Sequence, residues 1–204
     1  MSKTLNLLAA CVAVGFLNSC AVVAVGAVGA AAATGAAVGT DPRSGGALVD
    51  DNSIQSKLSG KYGNSDNFPD SNIYVDVFNK SVLLTGQVKD DAQKQFAENI
   101  ARGYPGVIKI YDYLNVRLPS SMGSRSTDSM ITTQLKTQLL TASGVPSNSI
   151  KVVTTETVIY MMGMVTPAEA ESAANVAAKV GGASKVVTLF DYKSNQFSTK
   201  LSPV

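Results

Sequence analysis

The most reactive side chains in this chain of 204 residues are two thiols, and neither has catalytic company. Cys11 lies inside an apolar run from Leu5 to Leu17. Cys20 ends that region, with Leu17 three residues before it and the small Ser19 immediately before it. The absence of histidine removes the commonest general base and metal ligand, and it excludes Ser-His and Cys-His nucleophile pairs. Adjacent carboxylates at Asp50-Asp51 and Asp90-Asp91 are the right residue types for acid/base or metal work. Both pairs stand where a helix is expected to start, and acidic residues there favour the helix dipole. With no phosphate loop, metal cluster or nucleophile motif, the sequence predicts no catalytic residue, no metal and no cofactor. Nor does 17 basic against 15 acidic residues make the clustered basic excess of a nucleic-acid domain.

The surroundings of Cys20 resemble a lipoprotein processing site. Lys3 supplies a short charged region and residues 5–17 the apolar one, the length of a signal peptide rather than a comfortable span. The resemblance implies cleavage of residues 1–19 and acylation of Cys20. Cys11 leaves with the signal, so the mature chain holds no free thiol. Several acyl chains on one cysteine would anchor it stably. Ala21, where an aspartate would favour inner-membrane retention, implies the outer membrane, with the protein facing the periplasm. Residues 20–45 then read as a tether rich in Ala, Gly and Val. The rival reading, one or two spanning helices over Leu5–Gly39, suffers because alanine and glycine give little insertion drive.

Beyond Asp41 the chain is a tandem repeat. Asp51 and Asp128, Ile54 and Ile131, Leu58 and Leu135, Ile73 and Ile150, Gly86 and Gly163, and Val88 and Val165 all share an offset of 77, which slips to 76 after the second helix. Each copy begins with a helix capped by Asp51 or Asp128, its apolar residues at i, i+4 and i+8. A hairpin follows, then an amphipathic helix (90–102 or 167–180) and a closing strand (107–117 or 184–192). The order is α-β-β-α-β, twice: an α+β fold of two small sandwiches, each with its helices on one sheet face. The boundaries are residues 46–118 and 127–194, a linker at 119–126 and a tail at 195–204. A unit of roughly 70 residues has a marginal core on its own.

Leu84-Thr85-Gly86-Gln87-Val88 and Met161-Met162-Gly163-Met164-Val165, in that order of elements, resemble the BON domain. Its hallmark is a glycine in the second strand with a valine two residues on. Gly86 and Gly163 are therefore structural: a strand glycine admits a close helix backbone or marks a bulge. The whole chain, from Cys20 through Thr40-Asp41-Pro42-Arg43-Ser44 to Lys151-Val152, is similar to dual-BON outer-membrane lipoproteins of the DolP type. That resemblance implies a non-enzymatic, phospholipid-binding envelope protein that supports outer-membrane integrity. It also implies concentration at the division site and a link to the outer-membrane β-barrel assembly machinery.

The family's lipid contact lies on the first helix of the second unit, here residues 128–141. At about 100° per residue, Ile131, Leu135, Gln138, Leu139 and Ala142 share the core stripe, and Met130 projects away from its middle. Met130 is expected to enter the acyl boundary, with Thr133, Gln134 and Thr137 meeting head groups and Lys136 supplying a positive charge. In the rival placement Met130 packs under the preceding loop. The sequence departs from the family in having Met130 in place of an aromatic residue and Gln134 in place of a basic one. Losing that charge removes roughly 1 kcal/mol of anionic-lipid attraction. The alternative function is a scaffold recruiting assembly or division proteins, and the first unit is expected to dock on the second or on such a partner.

Overall fold

The computed structural model describes residues 43–63 and 66–193. The signal, Cys20, the tether before Arg43 and the tail lie outside the described residues. Among those described, no helix is long and apolar enough to cross a membrane.

The first module runs α1 (Gly45–Gly63), β1 (Asn72–Phe78), β2 (Ser81–Val88), α2 (Asp91–Arg102) and β3 (Lys109–Val116). The second runs α3 (Met122–Thr141), a 3-10 turn (Ser147–Ser149), β4 (Ile150–Thr155), β5 (Val158–Val165), α4 (Pro167–Ala177) and β6 (Lys185–Tyr192). In each sheet an antiparallel hairpin is followed by a helical crossover to a strand parallel to the second, giving the orders β1-β2-β3 and β4-β5-β6. Alternation along the strands sends Val75, Val77, Val82, Leu84 and Leu114 under α1 and α2. Val152, Ile159, Met161 and Val165 go under α3 and α4 in the same way.

The first helix of each module begins earlier than its aspartate suggests. Ser44 Oγ accepts the Ala47 N–H at 3.2 Å, and Ser121 Oγ accepts the Ser124 N–H at 3.3 Å, so a pair of serines at the repeat offset does the capping. Met122–Ser126, expected as linker, is the first part of α3. Asp51 and Asp128 sit inside their helices, 2% and 8% exposed. Each reaches across to the hairpin turn instead. The Asn79 and Lys80 N–H groups donate to Asp51 Oδ2 and Oδ1 at 2.6 and 2.8 Å, and those of Glu156 and Thr157 donate to Asp128 Oδ2 and Oδ1 at 3.0 and 2.8 Å. Of the other acid pair, Asp90 does cap its helix, accepting the Gln93 N–H at 2.8 Å.

Neither structural glycine meets a packed α-helix: Gly86 faces strand β1, and Gly163 faces the 3-10 turn where it enters β4. A Cβ on Gly86 would lie 1.9 Å from the Asn72 carbonyl oxygen, and Gly86 has φ +111°. On Gly163 it would lie 2.5 Å from the Ser149 carbonyl oxygen. The pairing register runs through Gly86 against β1 and through Gly163 against β6, so neither is a bulge.

The sheet faces turned away from the helices are buried too, because the modules pack through them. Phe78, Leu83, Tyr160, Met162 and Leu189 form a shared cluster, with the Tyr113 and Tyr160 rings 4.9 Å apart. Burial, then Tyr113 and Glu156, push the Tyr160 phenol up to about 12, so it stays protonated at the contact. The interface obeys the repeat. Asn79 Nδ2 donates to Asp191 at 3.4 Å, and Asn115 Nδ2 donates to Glu156 at 2.5 Å. Asn79 corresponds to Glu156, and Asn115 to Asp191, so the two contacts are mates about a pseudo-two-fold axis. The result is a helix–sheet–sheet–helix body.

Replacing Asp128 with Ala strands two turn N–H donors, and urea unfolding should show a loss of about 2–4 kcal/mol. Asp51→Ala should cost a similar amount, and a change within about 0.5 kcal/mol for either would show that the turn stands without its carboxylate.

Candidate functional site

The helix α3 is held by its inner face. Ile131, Leu135 and Leu139 are at most 3% exposed and pack on β4, β5 and α4. Fixing those residues determines what points outward. Met130 is 70% exposed, which excludes packing under the preceding loop, and Thr133, Gln134, Lys136 and Thr137 are exposed as well. Met130, Thr133 and Gln134 come together, lining a shallow groove of about 490 Å³ with Ser126 and Ser129. Lys136 does not join them; it borders a separate recess with Leu140 and Asn148.

The sequence reading missed two residues of this face, Met122 and Leu140, 75% and 68% exposed. Met122 had been assigned to the linker. The available signal was Ser121, whose capping role extends the helix back so that Met122 lies on the azimuth of Leu140, about 80° around the outward side from Met130.

Four of the hydroxyls here are already used. Thr127, Ser129, Thr133 and Thr137 donate to the carbonyls of Gly123, Arg125, Ser129 and Thr133, four residues back, at 2.9–3.2 Å. Hydroxyls satisfied within their own helix lose less on leaving water than free ones do. Its charges are few: Asp128 is buried, Arg125 stands at the N-terminal end, and Lys136 is about 120° around the helix from Met130.

The repeat supplies an internal control. The fold places α1 as it places α3, yet Ser53 stands where Met130 does, Gly45 where Met122 does and Gly63 where Leu140 does. Ser56, Lys57, Ser59 and Gly60 occupy the positions of Thr133, Gln134, Lys136 and Thr137. Val49 is the one large apolar residue exposed on α1.

Other polar groups serve the fold. Tyr113 belongs to the module contact, Arg117 pairs with Glu156 at 3.2 Å, and Arg102 pairs with Glu98. Burial, the largest influence, raises the Asp112 carboxyl despite a bond from the Leu114 N–H and Lys94 Nζ at 3.9 Å. Among the described residues, no three His, Cys, Asp or Glu side chains are placed to hold a metal ion.

The BON domain family matches residues 50–117 and 127–194. The chain is 31% identical, over 87% of its length and 90% of the relative's, to the outer membrane lipoprotein DolP of Haemophilus influenzae. It is 34% identical to the 21 kDa hemolysin of Actinobacillus pleuropneumoniae, over 74% of this chain and 79% of that one. With the osmotically-inducible protein Y of Escherichia coli it shares 33% identity, over 69% and 72% of the two chains. A solved structure of CdsD, a structural protein of the type III secretion system of Chlamydia trachomatis, aligns with 70% of the chain and 63% of its own length, at 11% identity and a TM-score of 0.28.

Because Met130 is mostly exposed, Met130→Ser should shift stability in urea by no more than about 0.5 kcal/mol. A loss above about 1 kcal/mol would return it to the core.

Proposed function

The chain belongs to the BON-domain family, and from that premise we propose that it is a lipid-anchored, non-enzymatic phospholipid-binding protein of the outer membrane. It faces the periplasm, supports envelope integrity and gathers at the division site. The observation that carries the lipid reading is the asymmetry between equivalent helices: large apolar residues stand on the outer face of α3 where α1 has serine and glycine. Core packing does not demand that difference, since the inner faces differ at one large residue only: Ile54, Leu58 and Tyr62 on α1 against Ile131, Leu135 and Leu139 on α3. Met130 enters the acyl boundary, Met122 and Leu140 extend the contact, and Thr133, Gln134 and Thr137 lie at head-group level. Cys20 supplies the anchor, so α3 need contribute only modest affinity at high effective concentration. The name of the Haemophilus relative supports both the anchor and the address.

The second reading is a scaffold for outer-membrane assembly or division proteins. Ile108 and Leu118, 78% and 79% exposed and lying outside α3, favour some contact of that kind.

In a chain carrying Cys20→Ser, Met130→Asp should abolish binding to phospholipid vesicles, with folding checked by circular dichroism. Undiminished binding would remove α3 from the lipid contact. Cys20→Ser alone should move the protein from the membrane to the soluble fraction, and retention in the membrane would revive a spanning segment before residue 40.

A further inference from the structure

At one edge of the module interface an ammonium group lies in a nest of acceptors. Lys151 Nζ is 3.0 Å from Asp76 Oδ1, 2.9 Å from Gln55 Oε1 and 3.3 Å from the Val77 carbonyl oxygen. The pseudo-two-fold axis maps Lys151 onto Tyr74, Gln55 onto Thr132, Val77 onto Thr154 and Asp76 onto Val153. All four of these mates line a cavity of about 450 Å³ between the modules. The cavity is thus the counterpart of the lysine nest, and a tyrosine stands where the lysine would be. One of the nest's three acceptors keeps a like counterpart: the mate of Asp76 is the apolar Val153, and the mate of Gln55, Thr132, donates to Thr154 Oγ1 at 2.8 Å. The Thr154 carbonyl is the mate of Val77's, and Asp76 borders the cavity while giving Oδ1 to Lys151 on the other side.

The opposite wall comes from α3. Arg125 lines the cavity and makes a bond of 3.4 Å, from Nη2 to the Ser120 carbonyl, which leaves most of its guanidinium donors for a ligand. Ser129 and Thr133 line both this cavity and the groove beside Met130, so the cavity adjoins the proposed lipid face. A carboxylate and a carbonyl on one wall suit a primary ammonium, and a guanidinium on the other suits a phosphate. A quaternary ammonium has no N–H to donate, and a glycerol head group offers the carboxylate no cation.

We propose that this cavity binds a phosphoethanolamine group, as the head group of a phospholipid whose acyl chains lie against Met130. The ammonium meets Asp76 and the Thr154 carbonyl, and the phosphate meets Arg125. This rests on the lipid-binding reading of α3 and adds head-group choice to it.

The test uses the full-length acylated protein in dodecyl maltoside micelles. Calorimetric titrations compare glycerophosphoethanolamine, glycerophosphocholine and glycerophosphoglycerol with the corresponding dioleoyl lipids in mixed micelles. The ethanolamine compounds should bind about tenfold more tightly than the others. Asp76→Asn should lose that preference, while Lys151→Met should keep it. Both substitutions break the Lys151–Asp76 pair, so loss in both variants, or in neither, overturns the proposal, as does a wild type with no preference. Met130→Asp should lose the dioleoyl lipid and still bind glycerophosphoethanolamine. If Met130→Asp leaves the dioleoyl lipid bound, the reading of α3 fails while the cavity stands. If the wild type binds the soluble compound as tightly as the lipid, the ligand is a free phosphate ester and the lipid assignment fails.

Discussion

Each module depends on one buried carboxylate that ties its first helix to its hairpin. Asn79 and Lys80 have φ of 49° and 62°, and Glu156 and Thr157 have 53° and 62°. Non-glycine residues in that region are strained, and the two-residue turn that needs them normally takes glycine. Asp51 and Asp128 offset the strain by accepting both turn N–H groups at once. The same two bonds fix the helix against the end of the hairpin. They therefore set which residues of β1 and β2 face the helices and which face the other module.

That second face gives two small modules one adequate body. The middle strands β2 and β5 are buried almost from end to end, with a helical core on one side and the partner sheet on the other. The contact has the self-complementary character of an isologous dimer interface, built inside one chain. Its paired polar contacts exchange roles: Asn79 meets an aspartate, and the mate of Asn79, Glu156, meets an asparagine. Such substitutions break the symmetry without weakening the match, and they let one module carry properties the other lacks.

Much of this was legible in the sequence, for identifiable reasons. The repeat offset, the alternation in the strands and the spacing of Ile131, Leu135 and Leu139 gave the elements and their order. The buried aspartates were misread because an aspartate before an apolar run looks the same whether it caps its own helix or reaches a distant turn. Only the turn's positive φ values distinguish the two. The face-to-face packing has a signal that the one-faced sandwich reading passed over: the unbroken apolar runs Val82-Leu83-Leu84 and Tyr160-Met161-Met162 suit a strand buried on both faces. Helical spacing set Met130 away from the core stripe but left open whether it packs under the preceding loop, which its 70% exposure decides. Met122 and Leu140 did not follow from that spacing, because they depended on where the helix begins and ends. The cavity was beyond reach, since it joins β1 of one module to α3 and β4 of the other.

The layered body has a geometrical consequence for a protein held at a surface. With the sheets innermost, α1 and α3 occupy opposite outer faces. A body resting on a bilayer through α3 must turn α1, with its serines, glycines and Lys57, toward the aqueous side. Attachment below and presentation above then belong to separate copies of the same motif. Duplication would thus leave the outer face of one copy clear of whatever surface the other rests on.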